Sequence, residues 1–202
     1  MNKFKLSLFL SLMVLILMIV FQTKNEDIKI QDLTGVKKIL AFGDSLTYGK
    51  GAPSQSYPLQ LQKLLSLEVI NAGKSGESSS QGLNRLPSLL KNHKPDLVIL
   101  CHGGNDLMQQ TSKEVLKSNL VKMIKLSKES GARVLLVGVP NFKLIRFSTE
   151  SLYKEVAEQE NIMYEGDVLS YIENDRSLKS DRIHPNAKGY MLMAKAFSEL
   201  IN

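Results

Sequence analysis

From Lys38 onward the chain alternates between short apolar runs and longer segments in which apolar residues recur at helical spacing. Lys38 to Phe42, Leu67 to Asn71, Leu97 to Cys101, Val134 to Val139 and Ile162 to Tyr164 read as five strands. The third is apolar throughout, as expected of a strand covered on both faces. Between them, Ser56-Tyr57-Pro58 opens a helix carrying Leu61, Leu64 and Leu65. Ser80 through Leu83, Leu86 and Leu90 has helical spacing too, but Pro87 lacks an N–H and predicts a split into two short helices. Thr111-Ser112-Lys113-Glu114 reads as a capping box ahead of Leu116, Leu120, Met123 and Ile124, with Gly131 as the stop. A further helix carries Leu152, Val156 and Ala157, and Asn186 to Ile201 closes the chain with Tyr190, Met193, Phe197 and Leu200. Strands and helices in alternation predict βα units, a parallel sheet and an α/β fold.

Ahead of this pattern, Leu6 to Phe21 is a sixteen-residue run without charge, preceded by Lys3 and Lys5 and followed by Gln22-Thr23-Lys24-Asn25-Glu26-Asp27. This is the arrangement of a secretion signal. It falls short of the roughly 20 residues of a spanning helix, a difference that flanking residues can make up. Val20 and Phe21 stand where a cleavage site would have small residues, and no lipobox cysteine is present. The segment therefore reads as an uncleaved signal-anchor rather than a removed signal peptide, with the N-terminus cytoplasmic and the rest outside. The expected partition is a leader at 1–23, a linker at 24–36 and one domain at 37–202.

Composition adds mainly exclusions. A chain of 202 residues, 43% hydrophobic and 23% charged, suits one globular domain with a short appendage. The formal charge of +6 includes Lys3 and Lys5 of the leader, and the other basic residues are scattered, so no nucleic-acid surface is indicated. Cys101 is the one cysteine, which excludes an internal disulfide, and its apolar run suits a buried inert thiol. No Cys/His spacing suits a metal site.

In a parallel sheet the loops after the strands share one edge, where ligands bind. Phe42-Gly43-Asp44-Ser45-Leu46 follows the first strand, so the Ser45 hydroxyl falls on that rim; Gly43 permits a tight turn and Asp44 can hold the turn's N–H groups. Taken alone, Ser45 is better explained as a helix cap. Three more polar stretches end strands: Ser75-Gly76-Glu77, His102-Gly103-Gly104-Asn105-Asp106, and Asp181-Arg182-Ile183-His184-Pro185. Acyl transfer through serine needs a base, an acid to orient it, and donors facing the oxyanion. Of three histidines, His93 enters the third strand on the opposite edge, and His102 has only Asp106 as a local acid. His184, three residues after Asp181, is the better base, with Asp181 as its orienter. The Gly76 N–H and the Asn105 amide are candidate donors. Singly, each is also accounted for as a turn residue, and Asp181 as a helix-start cap.

Together these stretches resemble the GDSL or SGNH hydrolases. Gly43-Asp44-Ser45-Leu46, Gly76, Gly104-Asn105-Asp106, and Asp181 with His184 stand for the family's blocks. Asn71-Ala72, Ser75-Gly76, Gln81-Gly82-Leu83 and Arg85-Leu86-Pro87 are similar to the secreted bacterial thioesterase, lysophospholipase and arylesterase branch. The resemblance implies a three-layer α/β/α, flavodoxin-like fold with a five-stranded parallel sheet. It implies a serine esterase or thioesterase needing no cofactor or metal, with Ser45, His184 and Asp181 as its triad. The Ser45 N–H, the Gly76 N–H and the Asn105 amide would form the oxyanion hole, and a small-molecule or lipid ester such as a lysophospholipid would be the substrate. No Gly-x-Ser-x-Gly elbow points to the other common serine esterase fold. Members of that branch are usually released, whereas this leader implies an extracytoplasmic enzyme held at the membrane. Phe142 and Phe147, with Leu107 and Met108, are placed to line an acyl groove or to pack the loop onto the core. Two other readings stand beside the esterase: a deacetylase of surface carbohydrate, and a silent anchored binding protein, which the filled catalytic positions argue against.

Overall fold

The computed structural model describes residues 35–141 and 147–201. The leader, nearly all of the linker, and Phe142 lie outside the described residues. β1 (Lys38–Gly43) runs into the one-turn helix α1 (Ser45–Tyr48), and α2 (Tyr57–Leu65), β2 (Glu68–Gly73), α3 (Ser79–His93) and β3 (Leu97–Cys101) follow. After β3 come α4 (Gly104–Gln109), α5 (Lys113–Glu129), β4 (Arg133–Val137) and α6 (Ser151–Glu160). The chain ends with β5 (Met163–Glu165), α7 (Val168–Asn174) and α8 (Ala187–Ile201).

The five strands form one parallel sheet in the order β2-β1-β3-β4-β5. This is the flavodoxin-like order, whose switch point lies between β1 and β3. Ile39 to Phe42 and Leu97 to Cys101 are buried at every position, so both faces of the sheet are covered. Two groups of helices do this: α2 packs on α8, which α7 also touches, while α3 packs on α5 and α5 on α6. Tyr57 of α2 meets Phe197 of α8 edge to face, with ring centroids 5.1 Å apart.

The register matters for function. Gly43 pairs with Gly73 on one side and with Cys101 on the other, so β1, β2 and β3 end level. A Cβ on Gly43 would stand 2.1 Å from the Cys101 carbonyl oxygen and 2.3 Å from Thr47 Oγ1. Close approach, rather than an unusual φ, therefore calls for glycine before Asp44 and Ser45.

The expected strands are present with ends moved by one or two residues. The segment around Pro87 differs: α3 is continuous from Ser79 to His93 with Pro87 inside it. Pro87 lies on the exposed face, where water can replace the lost helical bond, while Leu86 and Leu90 anchor both halves in the core. The capping box expected at Thr111 is also absent. Ser112 is the cap, accepting from the Val115 N–H, while the Thr111 N–H goes to the Asp106 carbonyl. A reciprocal box forms instead at α3, between Ser78 and Gln81. Leu64 and Leu200, expected on apolar faces, are 44% and 38% exposed.

Because proline costs about 3 kcal/mol relative to alanine inside a helix, Pro87→Ala should stabilise the protein by about 1 kcal/mol or more. Urea unfolding of both proteins measures it, and an unchanged or lowered midpoint would mean that α3 gains from the proline.

Candidate active site

Ser45 is the first residue of α1, and Asp44 is its cap: Asp44 Oδ1 accepts the Leu46 N–H at 3.0 Å. The hydroxyl thus sits at the turn between β1 and α1, half-buried on the rim. The partner loop comes from the far end of the chain. Ser180 N–H and Oγ both donate to the His184 carbonyl, and Lys179 bridges Pro185, which folds residues 179–185 into a narrow hairpin. Within it Asp181 Oδ1 accepts the N–H groups of Ile183 and His184, each at 2.9 Å. Asp181 Oδ2 lies 2.7 Å from His184 Nδ1, and His184 Nε2 lies 3.0 Å from Ser45 Oγ. Against partial burial, which would raise it, the bonds from Ile183 N–H and the His184 ring and N–H hold Asp181 at about 2. An ionised carboxylate on Nδ1 keeps the proton there and leaves Nε2 to accept from the serine.

Gly76 follows β2 with φ +79°, and a Cβ there would meet nothing within 4 Å, so conformation rather than crowding favours glycine. Among the described residues, neither Gly76 N–H nor Ser45 N–H donates to a protein acceptor. Asn105 lies in the first turn of α4. Its Nδ2 donates to the Glu77 carbonyl at 3.0 Å and more loosely to Asp44 Oδ2 at 3.3 Å. The structure therefore brings Ser45, His184 and Asp181 into one chain of bonds, and joins Asn105 to the Gly76-Glu77 turn and to Asp44.

Other candidates fall elsewhere. His102 is fully buried and points to Glu77, its Nε2 3.4 Å from Oε2, not to Asp106. Asp106 holds the N–H and hydroxyl of Ser79 at 2.8 and 2.6 Å. Leu107 packs partly buried against the core, whereas Met108 is exposed. Phe147 is clasped by Asn174, which accepts its N–H at 3.1 Å and donates to its carbonyl at 2.7 Å. Its ring lies 5.1 Å from the Lys179 ammonium. It borders a groove of about 470 Å³ with Asp167, Ser170, Tyr171, Asn174 and Asp175. Among the described residues that lining is mostly polar, whereas the sequence offered an apolar acyl groove or packing onto the core.

Sequence reasoning passed over the support beneath the hairpin. Lys179 Nζ donates to the Glu173 carbonyl at 2.7 Å, to Glu173 Oε2 at 3.3 Å and to the Arg182 carbonyl at 3.3 Å. Glu173 is buried, and among the described residues its Oε1 has no partner. Burial pushes its carboxyl up to about 7, with Lys179 only partly offsetting that.

A family model for GDSL-like lipase/acylhydrolases matches residues 41–192. The chain belongs to this family and is a carboxylic ester hydrolase. It is 34% identical over 170 residues to an arylesterase of Vibrio mimicus, covering 79% of this chain and 85% of that one. It is 35% identical over 158 residues to esterase TesA of Pseudomonas aeruginosa, covering 73% and 79%. A crystal structure of TesA superposes with a TM-score of 0.73 at 28% identity, over 82% of this chain and 98% of the other. An esterase EstA from Pseudoalteromonas, solved with monoethylphosphonate as inhibitor, gives 0.73 at 26% identity, over 82% and 96%.

Glu173 sets a pH dependence. Its carboxyl titrates near 4.5 when unfolded and about 7 when folded, so between those values the folded chain holds a proton the unfolded chain has lost. Its contribution to stability is complete below about 4.5 and is lost as pH rises through about 7. Between pH 5 and pH 8 the wild-type urea midpoint should fall further than that of Glu173→Gln. Parallel slopes would contradict the assignment.

Proposed function

We propose that the protein is a serine esterase or thioesterase in which Ser45 is the nucleophile, His184 the general base and Asp181 the group that orients it. The observation that carries this is the continuous chain from Asp181 Oδ2 through His184 to Ser45 Oγ, at 2.7 and 3.0 Å. Ser45 Oγ attacks the ester or thioester carbonyl as its proton passes to His184 Nε2. Negative charge gathers on the carbonyl oxygen, and the Ser45 N–H, the Gly76 N–H and the Asn105 amide donate to it. The intermediate collapses to an acyl-enzyme as His184 returns the proton to the leaving alcohol or thiol. Water, deprotonated by His184, then attacks the acyl carbon and frees the acid and Ser45. The inhibitor in the Pseudoalteromonas esterase supports this reading, since a phosphonate mimics the tetrahedral geometry of ester hydrolysis.

The arylesterase, and a relative in Escherichia coli named thioesterase 1/protease 1/lysophospholipase L1, 29% identical over 81% of this chain and 85% of its own, favour a simple acyl ester, acyl thioester or lysophospholipid as substrate. The charged and apolar leader of the sequence supports a location outside the cytoplasm and at the membrane. One Bacillus subtilis relative, 27% identical over 51% of this chain and 48% of its own length, is named a lipoprotein, which fits that side of the membrane.

The test is hydrolysis of p-nitrophenyl esters, acetyl to palmitoyl, by the full-length chain. Activity should peak at medium or long acyl chains and vanish in Ser45→Ala. Turnover confined to acetyl would indicate a deacetylase, and turnover that survives Ser45→Ala would overturn the mechanism. Asn105→Ala should lower kcat about 100- to 1000-fold with little change in KM, the usual cost of one oxyanion donor. Unchanged turnover would take Asn105 out of the reaction.

A further inference from the structure

Glu77 lies one residue after Gly76, outside every helix and strand of the fold, yet it is only 2% exposed. A carboxylate is stable in such a place only when other groups answer its charge. Arg85 of α3 does so as a fork, with Nε 2.8 Å from Oε1 and Nη2 2.5 Å from Oε2. His102 Nε2 approaches Oε2 at 3.4 Å, and Lys74 reaches Oε1 at 3.7 Å from the solvent side. Burial opposes ionisation, but the bonds from His102 and Arg85 prevail and hold the group at about 2.

These partners are themselves fixed to the sheet. Arg85 Nη2 donates to the Ala72 carbonyl of β2 at 3.0 Å, and the guanidinium lies 4.7 Å from the Phe42 ring of β1. That ring is 5.5 Å from the imidazole of His102, which directly follows β3. A Cβ on Gly82 would stand 2.4 Å from His102 Nε2, so α3 closes over the ring. One carboxylate thus gathers the ends of β1, β2 and β3 under α3. Among the described residues, none of these side chains hydrogen-bonds Ser45, Asp181 or His184.

What this cluster does reach is Asn105. The Glu77 carbonyl takes one amide N–H at 3.0 Å and so sets the plane of the amide. The other N–H, on the looser 3.3 Å contact to Asp44, is left as the one an oxyanion can draw on. We infer that Glu77 is a positioning residue for the oxyanion site: its carbonyl aims the Asn105 amide, and its carboxylate, locked by Arg85 and His102, holds that carbonyl in place. The inference rests on the donor role proposed above for Asn105.

A double-mutant cycle on the full-length chain tests it. Glu77→Gln should lower kcat on a p-nitrophenyl ester about 10- to 100-fold, the scale of a small misplacement at a reacting centre, with KM within about twofold. In the Asn105→Ala background the same change should cost less than about threefold, because Glu77 acts through an amide no longer there. Arg85→Lys keeps the charge without the fork and should reproduce both results more mildly, which covers a Glu77→Gln protein that fails to fold. Wild-type kcat in both Glu77→Gln and Arg85→Lys would overturn the inference, and so would equal losses with and without Asn105. Should Asn105→Ala by itself leave kcat intact, the donor role fails first and this inference with it. An impaired Asn105→Ala with an additive cycle rejects only the role of Glu77.

Discussion

The hydrogen bond between His184 Nε2 and Ser45 Oγ joins residues 139 apart, and the rest of the architecture serves to keep that 3.0 Å distance. One partner is set by the start of the sheet, because β1 ends level with its neighbours and Gly43 lets the chain turn against β3. The other is set by a short hairpin whose own bonds run through Asp181, Ser180 and the Lys179–Pro185 bridge. An error of about 1 Å at such a site can cost a hundredfold in rate. That explains why Lys179 is buried beneath the hairpin, joining the Arg182 carbonyl to Glu173 at the end of α7.

Two buried carboxylates on this framework behave in opposite ways for a physical reason. Glu77 has a forked arginine and an imidazole as partners and is held at about 2. Glu173 has one ammonium, shared with two carbonyls, and among the described residues an oxygen without a partner, so burial prevails and it rises to about 7. Both are almost closed to solvent, and Glu173 is the more deeply embedded. The number and geometry of partners, set against that depth, decide which remains charged.

Much of this was legible in the order of residues. Periodicity located the five strands, and the polar stretches after them named Ser45, Gly76, Asn105, Asp181 and His184 before any geometry was known. Local rules misjudged Pro87, because anchoring by Leu86 and Leu90 outweighs the lost helical bond on an exposed face. They missed α4 and α7, which are too short to show a period. Glu77 was visible only as the end of a polar stretch, since Arg85 is 8 positions away and His102 is 25. His102 read as a poor base for want of a nearby acid, and the structure supplies one that sequence distance concealed. Phe147 read as a possible acyl contact, yet α7 presents it with polar neighbours that no local pattern links to it.

The most direct test of the central claim is covalent labelling of the full-length protein with a fluorophosphonate, followed by peptide mass analysis. The account predicts a single phosphonyl adduct on the peptide containing Ser45, absent in Ser45→Ala and formed far more slowly in His184→Ala. An adduct on another residue, or labelling of Ser45 at the wild-type rate without His184, would contradict it.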